Sequence, residues 1–202
     1  MQIIYGTKRL DINNDESAIA TILKMVDDII QEEATVFSHL VVDGIEIYDN
    51  HEAYLEREIS NILEVRVVSS SKKEMIWNTM LSINDYLDRA VPALQDLIEK
   101  SYGGFTNETW EGINQLAEGM QWILQFRTFT NGYNEKPANW HEVEESIISC
   151  ENHFKQLITG IETQDTILIS DILLYEIVPA YEELNKNLAK SLENKEFLNH
   201  AH

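Results

Sequence analysis

The chain has 202 residues, of which 44% are hydrophobic and 25% charged, the proportions of an ordinary globular protein; collagen-like, low-complexity and disulfide-stapled folds are excluded. Its one cysteine, Cys150, can neither close a bridge within the chain nor build a cysteine-rich zinc site. Against 15 basic residues stand 35 acidic ones, a formal net charge of −20, so phosphate backbones and anionic lipid headgroups are repelled.

The charge is spread along the chain. Residues 1–70 hold 14 acids and 5 bases (−9), and residues 71–202 hold 21 acids and 10 bases (−11). Neither a nucleic acid nor a membrane is an expected partner. The opening MQIIYGTKRLD lacks an apolar stretch of secretory length, and no run approaches the roughly 18 apolar residues of a spanning helix. A cytoplasmic location is expected.

Residues 1–70 read as a small α+β domain. Ile3, Ile4 and Tyr5 open a strand, and Leu10 and Ile12 either continue it or return after Gly6. Asp15 suits a helix N-cap, and Ile19, Ile22, Leu23, Val26, Ile29 and Ile30 fall on one helical face. The β-branched run Val36–Val42 precedes Asp43-Gly44, a dipeptide suited to a type I′ hairpin because both central residues need positive φ. Ile45 and Ile47 alternate in the returning strand. Asn50 is placed to cap a short helix carrying Leu55, Ile59 and Ile62, and Val65, Val67 and Val68 form the last strand. This order fits a ferredoxin-like split βαβ unit; if residues 2–12 form a hairpin, it fits a ubiquitin-like β-grasp instead. Both are small α/β sandwiches.

Residues 71–202 read as an antiparallel four-helix up-down bundle, with helices near 72–101, 108–130, 139–162 and 166–194. The links between them are short and carry Gly, Asn or Pro137, which suit helix ends. Apolar residues step by 3 and 4: Ile76, Met80, Ile83, Leu87, Ala90, Leu94 and Leu97 in the first helix; Trp110, Ile113, Ala117, Met120 and Leu124 in the second. Trp140, Val143, Ile147, Cys150, Phe154, Leu157 and Ile161 do so in the third, and Ile167, Leu174, Ile177, Tyr181, Leu184 and Leu188 in the fourth. Such seams imply helices crossing at a shallow angle.

The first and fourth helices also echo each other. At an offset of 87, Leu87, Val91, Pro92, Ala93 and Leu97 meet Leu174, Val178, Pro179, Ala180 and Leu184. Pro92 and Pro179 lie inside helical patterns, where proline removes a backbone hydrogen bond and bends the helix. Bends at both sites are expected in a pseudo-symmetric helix pair.

Motifs that carry chemistry are scarce. The seams hold no carboxylate or histidine, and no Glu-x-x-His occurs, so a buried di-metal site of the bundle type is not expected. His141 and Glu145 sit four apart beside the seam, on the solvent side. His153 lies about 120° around the helix from His141 and cannot complete a site with it. The terminal Asn199-His200-Ala201-His202 could hold a metal only loosely. There is no Gly-x-Gly-x-x-Gly, Walker pattern or Gly-x-Ser-x-Gly. Gly103-Gly104 reads as a helix stop, and Cys150 as a small core hydrophobe. No catalytic residue, cofactor or metal is therefore expected.

Trp110-Glu111-Gly112, just after a helix–helix turn, resembles over three residues the Trp-x-Gly of the small helical-hairpin proteins exported by type VII secretion. That resemblance implies a Tyr-x-x-x-Asp/Glu signal near the C-terminus. Here Tyr175 is followed four on by Pro179 and Tyr181 by Asn185, and an α+β unit precedes the helices. Trp110 is accordingly read as a core anchor.

Trp77 and Trp122 fall just beyond the seams. With Ile76 and Ile123 they either widen the core stripe or form an exposed interface. The reading that follows is a non-enzymatic cytoplasmic interaction or adaptor module, partnered by another protein or by itself as a homodimer. The alternative is a small-molecule binder or sensor with a pocket at the domain junction or within the bundle.

Overall fold

A computed structural model describes residues 1–31 and 35–199. The fold is α+β, a five-stranded mixed sheet followed by a mostly helical region. The chain divides into two compact units, Met1–Met75 and Ile76 onward.

In the first unit β1 (Gln2–Tyr5) and β2 (Lys8–Asp11) form an antiparallel hairpin turned at Gly6, whose φ is +57°. Helix α1 (Glu16–Gln31) starts at Asp15, whose carboxylate accepts hydrogen bonds from the backbone and hydroxyl of Ser17. The Ser17 hydroxyl bond lowers the Asp15 pKa. Strands β3 (Thr35–Val42) and β4 (Ile45–Ile47) join through Asp43 and Gly44, both at positive φ, as that dipeptide predicts. The Asp43 carboxylate does a second job by accepting from the Leu63 and Glu64 amides.

Asn50 precedes α2 (His51–Glu58) in a left-handed conformation, and its side chain makes no capping bond; its carbonyl accepts from Tyr54 instead. After a 3₁₀ turn (Ile59–Asn61), β5 (Glu64–Ser71) runs parallel to β1 and antiparallel to β3. The strand order is β2-β1-β5-β3-β4. Residues 2–12 are thus a hairpin, and the parallel β1–β5 pairing with its extra edge strand departs from the ferredoxin-like split βαβ order. Inward residues Ile3, Leu40, Val42, Val65 and Val67 pack with Ile19, Ile22, Ile29, Leu55 and Ile62 in this unit's core.

Helix α3 (Lys72–Ser101) follows β5 directly and runs unbroken through Pro92, which is exposed. It stops at Gly103-Gly104, where Gly104 adopts φ +112° and the two amides donate to Lys100 and Ser101. Helix α4 (Asn107–Asn131) opens on a reciprocal capping box between Thr106 and Thr109. Helix α5 (Trp140–Glu162) packs against α4 and against both helical segments that follow. These are α6 (Thr166–Ile172) and α7 (Val178–Leu192), joined by a π-helical turn at Leu173–Ile177. A short α8 (Glu196–Asn199) closes the described chain. Among the described residues no helix is long and apolar enough to cross a membrane.

The seams of α3 and α5 lie where the 3–4 spacing puts them except toward their C-terminal ends, where Ala90, Leu97 and Ile161 are half-buried and Ile98 is buried in place of Leu97. Ile76, Met80, Ile83 and Leu87 are fully buried, as are Val143, Ile147, Cys150 and Leu157. Each such aliphatic side chain contributes about 1.5–3 kcal/mol of burial. Two seams differ. In α4 the buried line is Ile113, Leu116, Met120, Ile123 and Phe126; Ala117 is exposed and Leu124 only half-buried. Both lines step by 3 and 4, and they part after Ile113, where the buried line takes the step of 3 to Leu116 and the sequence line the step of 4 to Ala117. In the last helical stretch Ile167 is exposed and Leu174 half-buried, because the π turn changes the phase.

Candidate functional site

Ile76, Trp77 and Ile123, read from sequence as interface candidates, are buried in the core of the helical unit. Trp122 is half-buried and meets Tyr86 edge-on at 6.1 Å between ring centres. The four residues widen the core stripe rather than presenting a free surface. Trp110 is half-buried against Phe105, at 5.2 Å.

Behind Trp122, α3 meets α4 through two glycines seven residues apart. A β-carbon on Gly112 would lie 2.8 Å from Leu97, and one on Gly119 would overlap the Tyr86 hydroxyl. Tyr86 also sits edge-on to Tyr181, at 6.5 Å, and Tyr181 stacks on Phe154. Burial raises the pKa of both tyrosines, Tyr181 most strongly, and pushes the Cys150 thiol up to about 12. A thiol so placed supplies no thiolate at neutral pH.

The echo between α3 and α7 resolves into two different environments. Val178, Ala180 and Leu184 are buried in α7. Their counterparts Val91 and Leu97 are half-buried and Ala93 is exposed, so α3 leaves a groove of about 340 Å³ against α4. Ala90, Ala93, Leu94, Leu97 and Leu116 line it, and Arg89 stands at its side with its Nε donating to the Asp85 carbonyl at 3.1 Å.

A second groove, about 430 Å³, lies where α6 and the π turn pass α5. Local sequence builds it. Gln164 takes a left-handed φ of 54°, Asp165 accepts from the Leu168 amide at 3.0 Å, and α6 folds back on α5. Gly160 permits the approach, since a β-carbon there would lie 3.2 Å from Ile169. Downstream, Ile172 and Leu173 are buried and the next buried pair is Ile177 and Val178, a spacing of five. One residue more than an α-turn fits there, and the π turn absorbs it. Tyr175 and Glu176 are thereby turned outward.

The floor of this groove is apolar. Tyr175 is 66% exposed and Leu168 40%, with Ile172 beneath them; Ile167 and Ile158, on the same helices, are 75% and 53% exposed. Asp171 and Glu176 supply acid at its walls, with Gln156 and Thr159 from α5. His153 Nδ1 lies 3.3 Å from Glu176. No lysine or arginine lines the groove, and Lys155 is drawn to Glu151 at 2.7 Å.

Sequence reasoning missed this groove because a single seam was carried through residues 167–188. The signal was present in Ile172-Leu173-Leu174, three consecutive apolar residues that no uniform 3–4 seam accommodates. Among the described residues no three His, Cys, Asp or Glu side chains gather as a metal site. His141 and Glu145 pair at 3.3 Å in open solvent. His200 and His202 lie outside the described residues.

Comparison with protein families places residues 78–187, more than half of the chain, within the domain of unknown function DUF8042, and the chain belongs to that family. The matched span runs from α3 into α7 and contains both grooves. No curated protein and no solved structure matches the chain.

Proposed function

We propose that this chain is a cytoplasmic, non-enzymatic interaction module, an adaptor, whose docking surface is the groove between α5 and the π turn. The N-terminal unit is read as a ubiquitin-like β-grasp and the helical region as an antiparallel four-helix bundle. Pro179, just after the π turn, is read as the bend that shapes this groove, and Pro92 as its counterpart at the groove between α3 and α4. The observation that carries the interaction reading is the exposure of Leu168 and Tyr175 around one concave, apolar site. Large apolar side chains gathered at one concavity, with polar walls, are the usual mark of a protein contact. The partner is a different protein or a second copy of the chain.

The test is quantitative capture by the tagged full chain from its native cell, comparing the wild-type sequence with Tyr175→Asp. The expected result is a stoichiometric protein retained by the wild type and lost by the variant. Equal recovery with both would remove the groove from the account.

A second reading, a small-molecule sensor, is favoured by a separate observation: Ala93 and Leu97 line an open groove while their counterparts Ala180 and Leu184 are buried. Grooves between helices are common ligand sites. A saturable thermal shift with a metabolite, abolished by Ala93→Trp, would support it.

A further inference from the structure

Resting on the interaction reading above, we infer that the occupant of the groove between α5 and the π turn is a lysine- or arginine-bearing amphipathic helix of another protein. Three observations lead there. The floor, formed by Leu168, Ile172 and Tyr175, asks for apolar anchors. The walls carry Asp171 and Glu176, the latter 3.3 Å from His153, and no lysine or arginine, within a chain whose net charge is −20. A segment that places cations beside apolar anchors therefore gains on both counts, through burial at the floor and attraction at the walls. Finally, the groove is bounded by helical segments, α5, α6 and the π turn, so it offers no strand edge to an extended peptide. An amphipathic helix brings its own backbone satisfied and needs only side-chain anchors at i, i+3 or i+4, and i+7.

A second copy of this chain fits less well. It would bring another −20 to the same acidic walls, and like charges across an interface oppose association.

The experiment uses the full chain and a dye-labelled synthetic peptide of about 18 residues, long enough for several helical turns, with leucines on one face and lysines on the other. Binding is followed by fluorescence anisotropy at low and high salt. The expected result is saturable binding that weakens about tenfold or more with Tyr175→Ala, as expected for a central aromatic anchor. The pair Asp171→Asn and Glu176→Gln should weaken binding and reduce its salt dependence. Glu99→Gln with Glu111→Gln, on α3 and α4, should change neither. All these positions are exposed, and unchanged thermal unfolding will confirm that the variants fold.

Equal binding by wild type and the groove variants overturns the inference, because the peptide would then be using the acidic surface at large. So does equal binding of the same peptide with its lysines replaced by glutamates. A dimer of the chain in sedimentation equilibrium that Tyr175→Asp disperses would assign the groove to self-association and overturn it as well. If the peptide fails but Tyr175→Asp still loses its captured partner, the cationic helix is wrong and the interaction reading stands. If the variant keeps its captured partner, the interaction reading itself falls.

Discussion

Cys150 and Gly119 carry the account at the scale of single residues. Cys150 sits on the α5 seam with its thiol pKa pushed up from 9.0 to about 12 by burial. The folded state therefore holds the proton more tightly than the unfolded chain does. Its contribution is intact below pH 9 and is lost progressively as pH rises toward 12. Cys150→Ala should accordingly show a shallower loss of stability than wild type across that window in alkaline denaturation, on top of a lower baseline from the lost packing; parallel curves would contradict it. At Gly119 the ordinary rule reverses. Alanine in a helix interior normally gains about 1 kcal/mol over glycine. Here its methyl would meet Tyr86, and overpacking of this kind costs about 1–3 kcal/mol. Gly119→Ala should destabilise the wild type yet stabilise a Tyr86→Ala background, a sign change that chemical denaturation of the double-mutant cycle will reveal. Cys150 was legible because its seam is regular. Ile123 was not, because two seams of α4 can be drawn through neighbouring apolar residues, and only the packing partner decides between them.

Among the elements, the π turn at Leu173–Ile177 separates what sequence could and could not give. The Asp43-Gly44 hairpin was readable because its turn demands positive φ at both residues, a local requirement that no distant contact can override. The hairpin of residues 2–12 was open to two readings, since Gly6 permits a turn without compelling one, and pairing with β5 is a long-range choice. The π turn was hidden for the same reason: its cause is the need to bury both Ile172-Leu173 and Ile177-Val178. A consequence is a tolerance for deletion at one place only. Removing Tyr175 shortens the spacing from five to four, restores an α-turn and leaves both flanking seams inward. Removing Lys186 from the regular stretch of α7 rotates everything beyond it by about 100°. The Tyr175 deletion should melt cooperatively near the wild-type temperature in circular dichroism. The Lys186 deletion should lose its cooperative transition. The opposite order would refute the assignment of the extra residue.

For the whole molecule, charge and exposed apolar surface point to the same use. A net charge of −20 opposes contact between like copies and favours cationic partners, and Leu168 and Tyr175 are the exposed apolar side chains at which the proposed partner would anchor. The architecture, a sheet-bearing unit and then helices, was legible in the periodicity of residues 1–70 and 72–194, since a change of period from 2 to 3.6 is written in the apolar spacing itself. The groove was not, because it arises from a departure in that period. The most direct measurement is mass spectrometry of proteins retained, at physiological ionic strength, by the tagged wild-type chain and by Tyr175→Asp side by side. The account predicts one stoichiometric partner, absent from the variant, with a basic amphipathic helix at the crosslinked contact. A partner retained equally by both proteins would contradict it.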